Sequence, residues 1–167
     1  MYALALCCGA AQNKIMSDGS HPEDRQLYRL VYVSQAREGL GDNDIADILN
    51  TAQSINDERF VTGFLAHNGD GFMQILEGPV DEVREIYERI VVDERHHSVQ
   101  QLIGEDIDLR AFPNWSMNYH RVDGPPGSSM MIARNDDTVD GLMTGVTDRA
   151  LLTLFSRFLR MRRAEIY

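Results

Sequence analysis

Phe60-Val61-Thr62-Gly63-Phe64-Leu65-Ala66 and Phe72-Met73-Gln74-Ile75-Leu76-Glu77 are two short apolar runs joined by His67-Asn68-Gly69-Asp70-Gly71. Runs of this length, rich in aromatic and aliphatic residues and separated by glycine and asparagine, read as the strands of a hairpin. On both sides of the hairpin the apolar period lengthens from strand to helix spacing. Upstream, Ile45, Ile48, Leu49, Ala52 and Ile55 share one helical face after a turn at Gly39 to Asn43, with Asp42 or Asn43 expected as the N-cap. Downstream, Gly78-Pro79 opens a second helix, with Pro79 expected at its first position. Val80, Val83, Ile86, Tyr87, Ile90 and Val91 mark its buried face, and Asp93 to His97 is expected to end it.

Further out, Leu27-Tyr28-Arg29-Leu30-Val31-Tyr32-Val33-Ser34 reads as a strand ahead of the first helix. Val99 to Ile107 reads as a fourth strand and Trp115 to Val122 as a fifth. The order β-α-β-β-α-β-β predicts an α+β, ferredoxin-like sheet with both helices on one face. Gly124-Pro125-Pro126-Gly127 breaks the chain, and Thr147 or Asp148 can cap a last helix. That helix carries Leu151, Leu154, Phe155, Phe158 and Leu159 on one side, with Arg157, Arg160, Arg162 and Arg163 towards its end, where they suit the helix dipole. The expected organisation is a flexible N-terminal extension over 1–26, a core domain over 27–123, and a linker with C-terminal helices over 124–167. The last helix is expected to lay its apolar face on the open side of the sheet, with a second subunit as the alternative.

The chain has 167 residues, 43% hydrophobic and 25% charged, which suits one compact domain with short extensions. Its net charge of -10 argues against a broad nucleic-acid-binding face and against docking on anionic membranes. The two cysteines, Cys7 and Cys8, are adjacent and cannot build a disulfide framework, so a cytoplasmic setting is the expectation. No glycine-rich dinucleotide or phosphate loop, zinc-ligand spacing or nucleophile elbow is present, and neither a catalytic residue nor a metal site is expected.

Two polar residues stand inside apolar strands: Tyr32 after Leu30-Val31, and Gln74 between Phe72-Met73 and Ile75-Leu76. If the first and third strands are neighbours, these side chains can meet under the helices and hydrogen-bond, since a buried amide needs partners. A flat, polar-edged ligand between the helices could use that pair. From the residues alone, a solvent-facing Gln74 and an amphipathic core Tyr32 remain the alternative.

From Leu27 to Val122 the chain resembles the BLUF family of flavin-binding blue-light sensors. The matching stretches are 28–34, 61–65, 72–78, 93–97 and 112–117, in order and at fitting spacing. The resemblance implies a photoreceptor, not an enzyme, with a flavin held between the two helices. FAD is the usual one, with FMN or riboflavin possible. By position, Tyr32 would be the redox-active tyrosine, Gln74 its bridge to the flavin, and Asn56 a partner of the ring's polar edge. Ile48 and Ile90 would pack on the ring, and Arg89, Asp93, Arg95 and His96 would lie nearer its polar edge or the flavin tail. Trp115 and Met117 would be the fifth-strand residues that report or exchange in the switch. The implied mechanism is light-driven electron and proton transfer from Tyr32, followed by rotation or tautomerisation of Gln74, with a small red shift of absorption. Signalling would pass to a separate downstream protein partner or through a change in a homo-oligomer. Ile55, where relatives often carry a polar residue, and Phe60, where glycine is frequent, depart from the family pattern, and both would lie near the flavin entrance. The other readings are a chromophore-free binding module and a small acylphosphatase-like enzyme, both of which would be colourless.

Overall fold

The computed structural model describes residues 25–113, 117–121, 143 and 146–160. Its elements are β1 (Leu27–Ala36), α1 (Asp42–Glu58), β2 (Thr62–His67), β3 (Gly71–Pro79), α2 (Val80–Val91), β4 (His96–Ile107), β5 (Asn118–Arg121) and α3 (Arg149–Arg160). The strands form one sheet in the order β4-β1-β3-β2-β5. β1 pairs antiparallel with β3 and β4, β2 pairs antiparallel with β3, and β5 joins the β2 edge in parallel. This is the expected α+β ferredoxin-like arrangement with an added strand and a C-terminal helix.

Side chains alternate across the sheet. Leu30, Tyr32, Leu65, Phe72 and Leu76 point to the first face, where they pack with Val83 and Ile86 of α2 and with Ile48, Ala52 and Ile55 of α1. Val31, Phe64, Ala66, Met73 and Ile75 point to the second face, which Phe112 and Leu151, Phe155, Phe158 and Leu159 of α3 cover. The apolar face of α3 is thus spent on the sheet of its own chain. Gly63 is required by the hairpin's close approach, since a Cβ there would lie 2.1 Å from the Ile75 carbonyl oxygen.

Several local expectations are corrected. The N-cap of α1 is Gly41, whose N–H donates to Asp44 Oδ2 at 2.9 Å, so Asp42 and Asn43 fall in the first turn. Pro79 caps α2 and closes β3, and the first helical residue is Val80. α2 stops at Val91, and His96-His97 start β4 because they pair with Ala36 and Gln35 of β1. Within the described residues β5 runs over Asn118–Arg121 and Met117 precedes it, while Trp115, Ser116 and Val122 of the expected strand lie outside the described residues. Asp148 caps α3 as expected, accepting from the Ala150 and Leu151 N–H groups at 3.0 and 3.2 Å. Arg162 and Arg163 lie outside the described residues.

On the second face an ion cluster, buried at Arg29 and Glu77 and open to solvent at Glu105 and Asp148, ties the pieces together. Arg29 Nε donates to Glu77 Oε1 at 2.8 Å, and its Nη1 donates to Glu105 at 3.1 Å and to Asp148 at 3.0 Å. Burial works against the Arg29 charge, but these acidic partners outweigh it and raise its pKa. The other Glu77 oxygen accepts from the Ala111 and Phe112 N–H groups at 2.7 and 3.1 Å.

Candidate functional site

The register of the central strands builds the site. Tyr32 lies opposite Gln74 in the β1–β3 ladder, and Gln74 lies opposite Leu65 in the β2–β3 ladder. Tyr32 and Gln74, 3% and 4% exposed, are therefore neighbours on the face under α1 and α2. The Tyr32 hydroxyl donates to Gln74 Oε1 at 2.5 Å. Gln74 Nε2 donates to the Met117 sulfur at 3.4 Å. A thioether accepts a hydrogen bond but cannot donate one, so Met117 favours the amide orientation that points Nε2 towards it.

Above this chain of contacts a cleft opens between the helices, with about 700 Å³ of empty space including its mouth. Its walls include Ile48 and Asn56 of α1 and Ile90 of α2, its floor includes Tyr32 and Gln74, and Arg89, Asp93, Arg95 and His96 line it as well. Nine of the residues singled out from the sequence thus meet in one cavity. Met117 sits beneath it, buried against Gln74. Trp115 lies outside the described residues. Ile55, expected near the entrance, lines the cleft too. Thr51, Ala52, Leu65, Phe72 and Ile86 also line it and were not foreseen as site residues. Four of these five carry only the apolar periodicity of a core face, which reads the same whether the neighbour is protein or ligand; Thr51 carries no signal. Gln53 was missed too; its Nε2 donates to the Met117 carbonyl at 3.3 Å.

Electrostatics follow from burial. Desolvation first, then the Tyr87 and Asp93 charges, push the Tyr32 pKa upward, so its hydroxyl stays protonated and remains a donor. His96 stacks near Tyr32 with ring centroids 6.4 Å apart. Burial lowers its pKa, with Asp93 opposing and Arg95 and His97 adding to the shift, so the ring is neutral at pH 7. Arg95 grips Asp93 with a two-nitrogen fork, and that bond lowers the Asp93 pKa against the effect of burial. Arg89 is tied to Glu85 at 2.7 Å.

These features suit a flat heteroaromatic ligand with a polar edge. Ile48 and Ile90 face the slot from opposite helices, Asn56 offers an amide from a position 1% exposed, and His96 Nδ1 is buried without a hydrogen-bond partner among the described residues. A flavin ring has that shape and edge chemistry, so the residues present fit one.

Fold and cleft together define a ferredoxin-like ligand-binding domain with a tyrosine–glutamine pair at the base of its site. The chain belongs to the BLUF family, sensors of blue light using FAD, whose model matches residues 27–118. The blue light- and temperature-regulated antirepressor BluF of Escherichia coli K12 is 28% identical over 140 residues, which cover 84% of this chain and 33% of that protein. The photoactivated adenylate cyclase subunit beta of Euglena gracilis is 36% identical over 95 residues, 56% of this chain and 11% of the subunit. The chain therefore spans about a third of the first relative and about a tenth of the second. Among solved structures, the dark state of the BLUF protein BlrB is 33% identical with a TM-score of 0.57, covering 59% of this chain and 74% of BlrB. The ground state of BlsA is 27% identical with a TM-score of 0.59, covering 83% and 91%.

Proposed function

We propose that this chain is a blue-light receptor module that holds FAD, or the smaller FMN or riboflavin, between α1 and α2 and switches through Tyr32 and Gln74. The observation that carries it is the continuous contact from Tyr32 Oη through the Gln74 amide to Met117 at the floor of the cleft. Ile48 and Ile90 hold the ring faces, Asn56 binds its polar edge, and Arg89, Asp93, Arg95 and His96 serve the edge or the tail. A bound flavin supplies an absorber of blue light and, once excited, an acceptor for one electron.

The protein's part is to provide the donor and a two-position amide. Tyr32 is neutral and buried, and its proton points at Gln74 Oε1. Loss of an electron makes a phenol hydroxyl strongly acidic, and Gln74 Oε1 is the acceptor in line. When the electron and proton return to Tyr32, the Gln74 amide has turned or tautomerised. In the turned form Nε2 faces Tyr32 and Oε1 faces the Met117 sulfur, which cannot donate to it. That lost contact biases the amide back in the dark. In a low-dielectric pocket one rearranged hydrogen bond is enough to move absorption slightly to the red. Trp115 takes part alongside Met117 in passing the change to β5.

The output goes to a separate protein or through a change in self-association, in the cytoplasm, without nucleic acid or membrane as the partner. The acidic net charge of -10 supports the last point, and no helix among the described residues is long and apolar enough to cross a membrane. Light-dependent size-exclusion elution supports self-association; one unchanged monomer peak in both states contradicts it. The function is tested by the absorption spectrum of the purified protein before and after blue light. A flavin spectrum that moves a few nanometres to the red and recovers in the dark is expected. A flavin that bleaches or stays still rejects the switch, and a colourless protein after reconstitution rejects the receptor.

A further inference from the structure

Residues 108–117 connect β4 to β5, and these strands lie at opposite edges of the sheet. The connection must pass β1, β3 and β2. Four strand spacings come to about 19 Å, whereas ten residues can extend about 33 Å. A connection with that much slack does not by itself set where its last residue, Met117, arrives. Something must take up the excess before the chain reaches Gln74.

Two side chains hold the connection near its middle. Glu77 lies on β3 three residues beyond Gln74, faces the other side of the sheet, and is fully buried. Its Oε2 accepts from the Ala111 and Phe112 N–H groups, while Oε1 is occupied by Arg29. Arg110 reaches the same strand ends, donating to the Glu77 carbonyl at 2.6 Å, the Phe60 carbonyl at 2.6 Å and Thr62 Oγ1 at 3.0 Å. Phe112, fully buried and stacked on Phe64 with centroids 6.1 Å apart, seats the anchored segment in the second-face core. From that fixed point five residues of chain reach Met117.

We propose that Glu77 is a positioning residue for the Gln74–Met117 contact: by gripping the N–H groups of Ala111 and Phe112 it sets the reach of the segment that delivers the Met117 sulfur to Gln74 Nε2. Glu77 and Gln74 sit on one strand, so the residue that turns and the residue that fixes its partner share a rigid element. Placement of Met117 rests on the contacts above alone. Its consequence for the light response rests on the function proposed in the preceding section.

The rival arrangement is that Met117 is held where it arrives, by the β2–β5 pairing at Phe64 and Asn118 and by the Gln53 bond to its carbonyl. Methionine-methyl ¹³C NMR of the full chain separates the two, with the Met117 signal assigned from Met117→Leu. Glu77→Gln keeps size and removes one acceptor oxygen, and Arg110→Gln loosens the same segment from a half-buried position in case Glu77→Gln does not fold. Asn68→Ala, which loses a bond to the α3 backbone, controls for general destabilisation. The Met117 methyl is expected to move in Glu77→Gln and Arg110→Gln and to stay in place in Asn68→Ala. With flavin bound, Glu77→Gln is also expected to change the dark-recovery rate at least threefold while keeping a red shift. A Met117 signal unchanged in folded Glu77→Gln or Arg110→Gln overturns the positioning role. A moved signal in a protein with no light response supports it and rejects the receptor function instead.

Discussion

Phe60 occupies the position after the C-cap of α1 with φ at 56°, a conformation that favours glycine. The Val61 N–H bonds the Asn56 carbonyl at 2.9 Å and the Phe60 N–H bonds the Asp57 carbonyl at 3.4 Å, the double closure of a helix end that glycine usually makes. The aromatic ring is 54% exposed and recovers little by packing. Phe60→Gly is therefore expected to stabilise the protein by about 1 kcal/mol, read as a melting temperature raised by about 2–4 °C. A lowered melting temperature would mean that the ring's contacts outweigh the backbone strain. His96 makes a second prediction at this scale. Its folded pKa is depressed by burial, whereas in the unfolded chain it takes up a proton near the ordinary value of 6.5. The unfolded state then binds more protons below that pH, so His96's contribution to stability is present above it and is lost as the pH falls. Melting temperatures taken from pH 7.5 to pH 5 should fall, and His96→Gln should flatten that slope; an equal slope in both proteins would remove His96 as its source. Tyr32 and Gln74 were legible in the sequence because each interrupts an apolar run. His96 was legible only through family resemblance, since a histidine near a helix end has no periodic signature.

At the scale of elements, the hydrophobic period was sufficient for the order of the elements along the chain and for the β2–β3 hairpin; the β1–β3 pairing followed only from the ferredoxin-like order, and the edge places of β4 and β5 had no signal in the apolar pattern. Nor was the period sufficient for the ends of the strands. β4 begins earlier than its apolar residues because edge pairing with β1 uses backbone groups, which leave no trace in composition. It accommodates the irregular register there with Ser98 at φ 53°. The Arg29–Glu77 cluster was not foreseen, because residues 29 and 77 look like ordinary outward positions of alternating strands until α3 and the β4–β5 connection cover that face. Glu77→Ala would leave Arg29 and two backbone N–H groups without their buried acceptor. Loss of about 3–5 kcal/mol is expected, measured by urea unfolding. A loss below about 1 kcal/mol, the range of an exposed pair, would show that solvent reaches the cluster.

At the scale of the whole molecule, one five-stranded sheet serves two purposes through its two faces. The first face carries the cleft and its tyrosine–glutamine floor. The second carries α3, whose Leu151 and Phe155 are 1% and 0% exposed. Gln74 and Glu77 lie on opposite faces of the same central strand, so the site and the appended helix meet through β3 and through the segment that ends at Met117. In the proposed switch the Gln74 amide is what changes on illumination. Light-minus-dark absorption spectra of the wild-type protein and Gln74→Leu, both loaded with flavin, decide whether it does. The wild type is expected to show a reversible red shift, and Gln74→Leu is expected to bind flavin and show none; a red shift that persists in Gln74→Leu would contradict the claim.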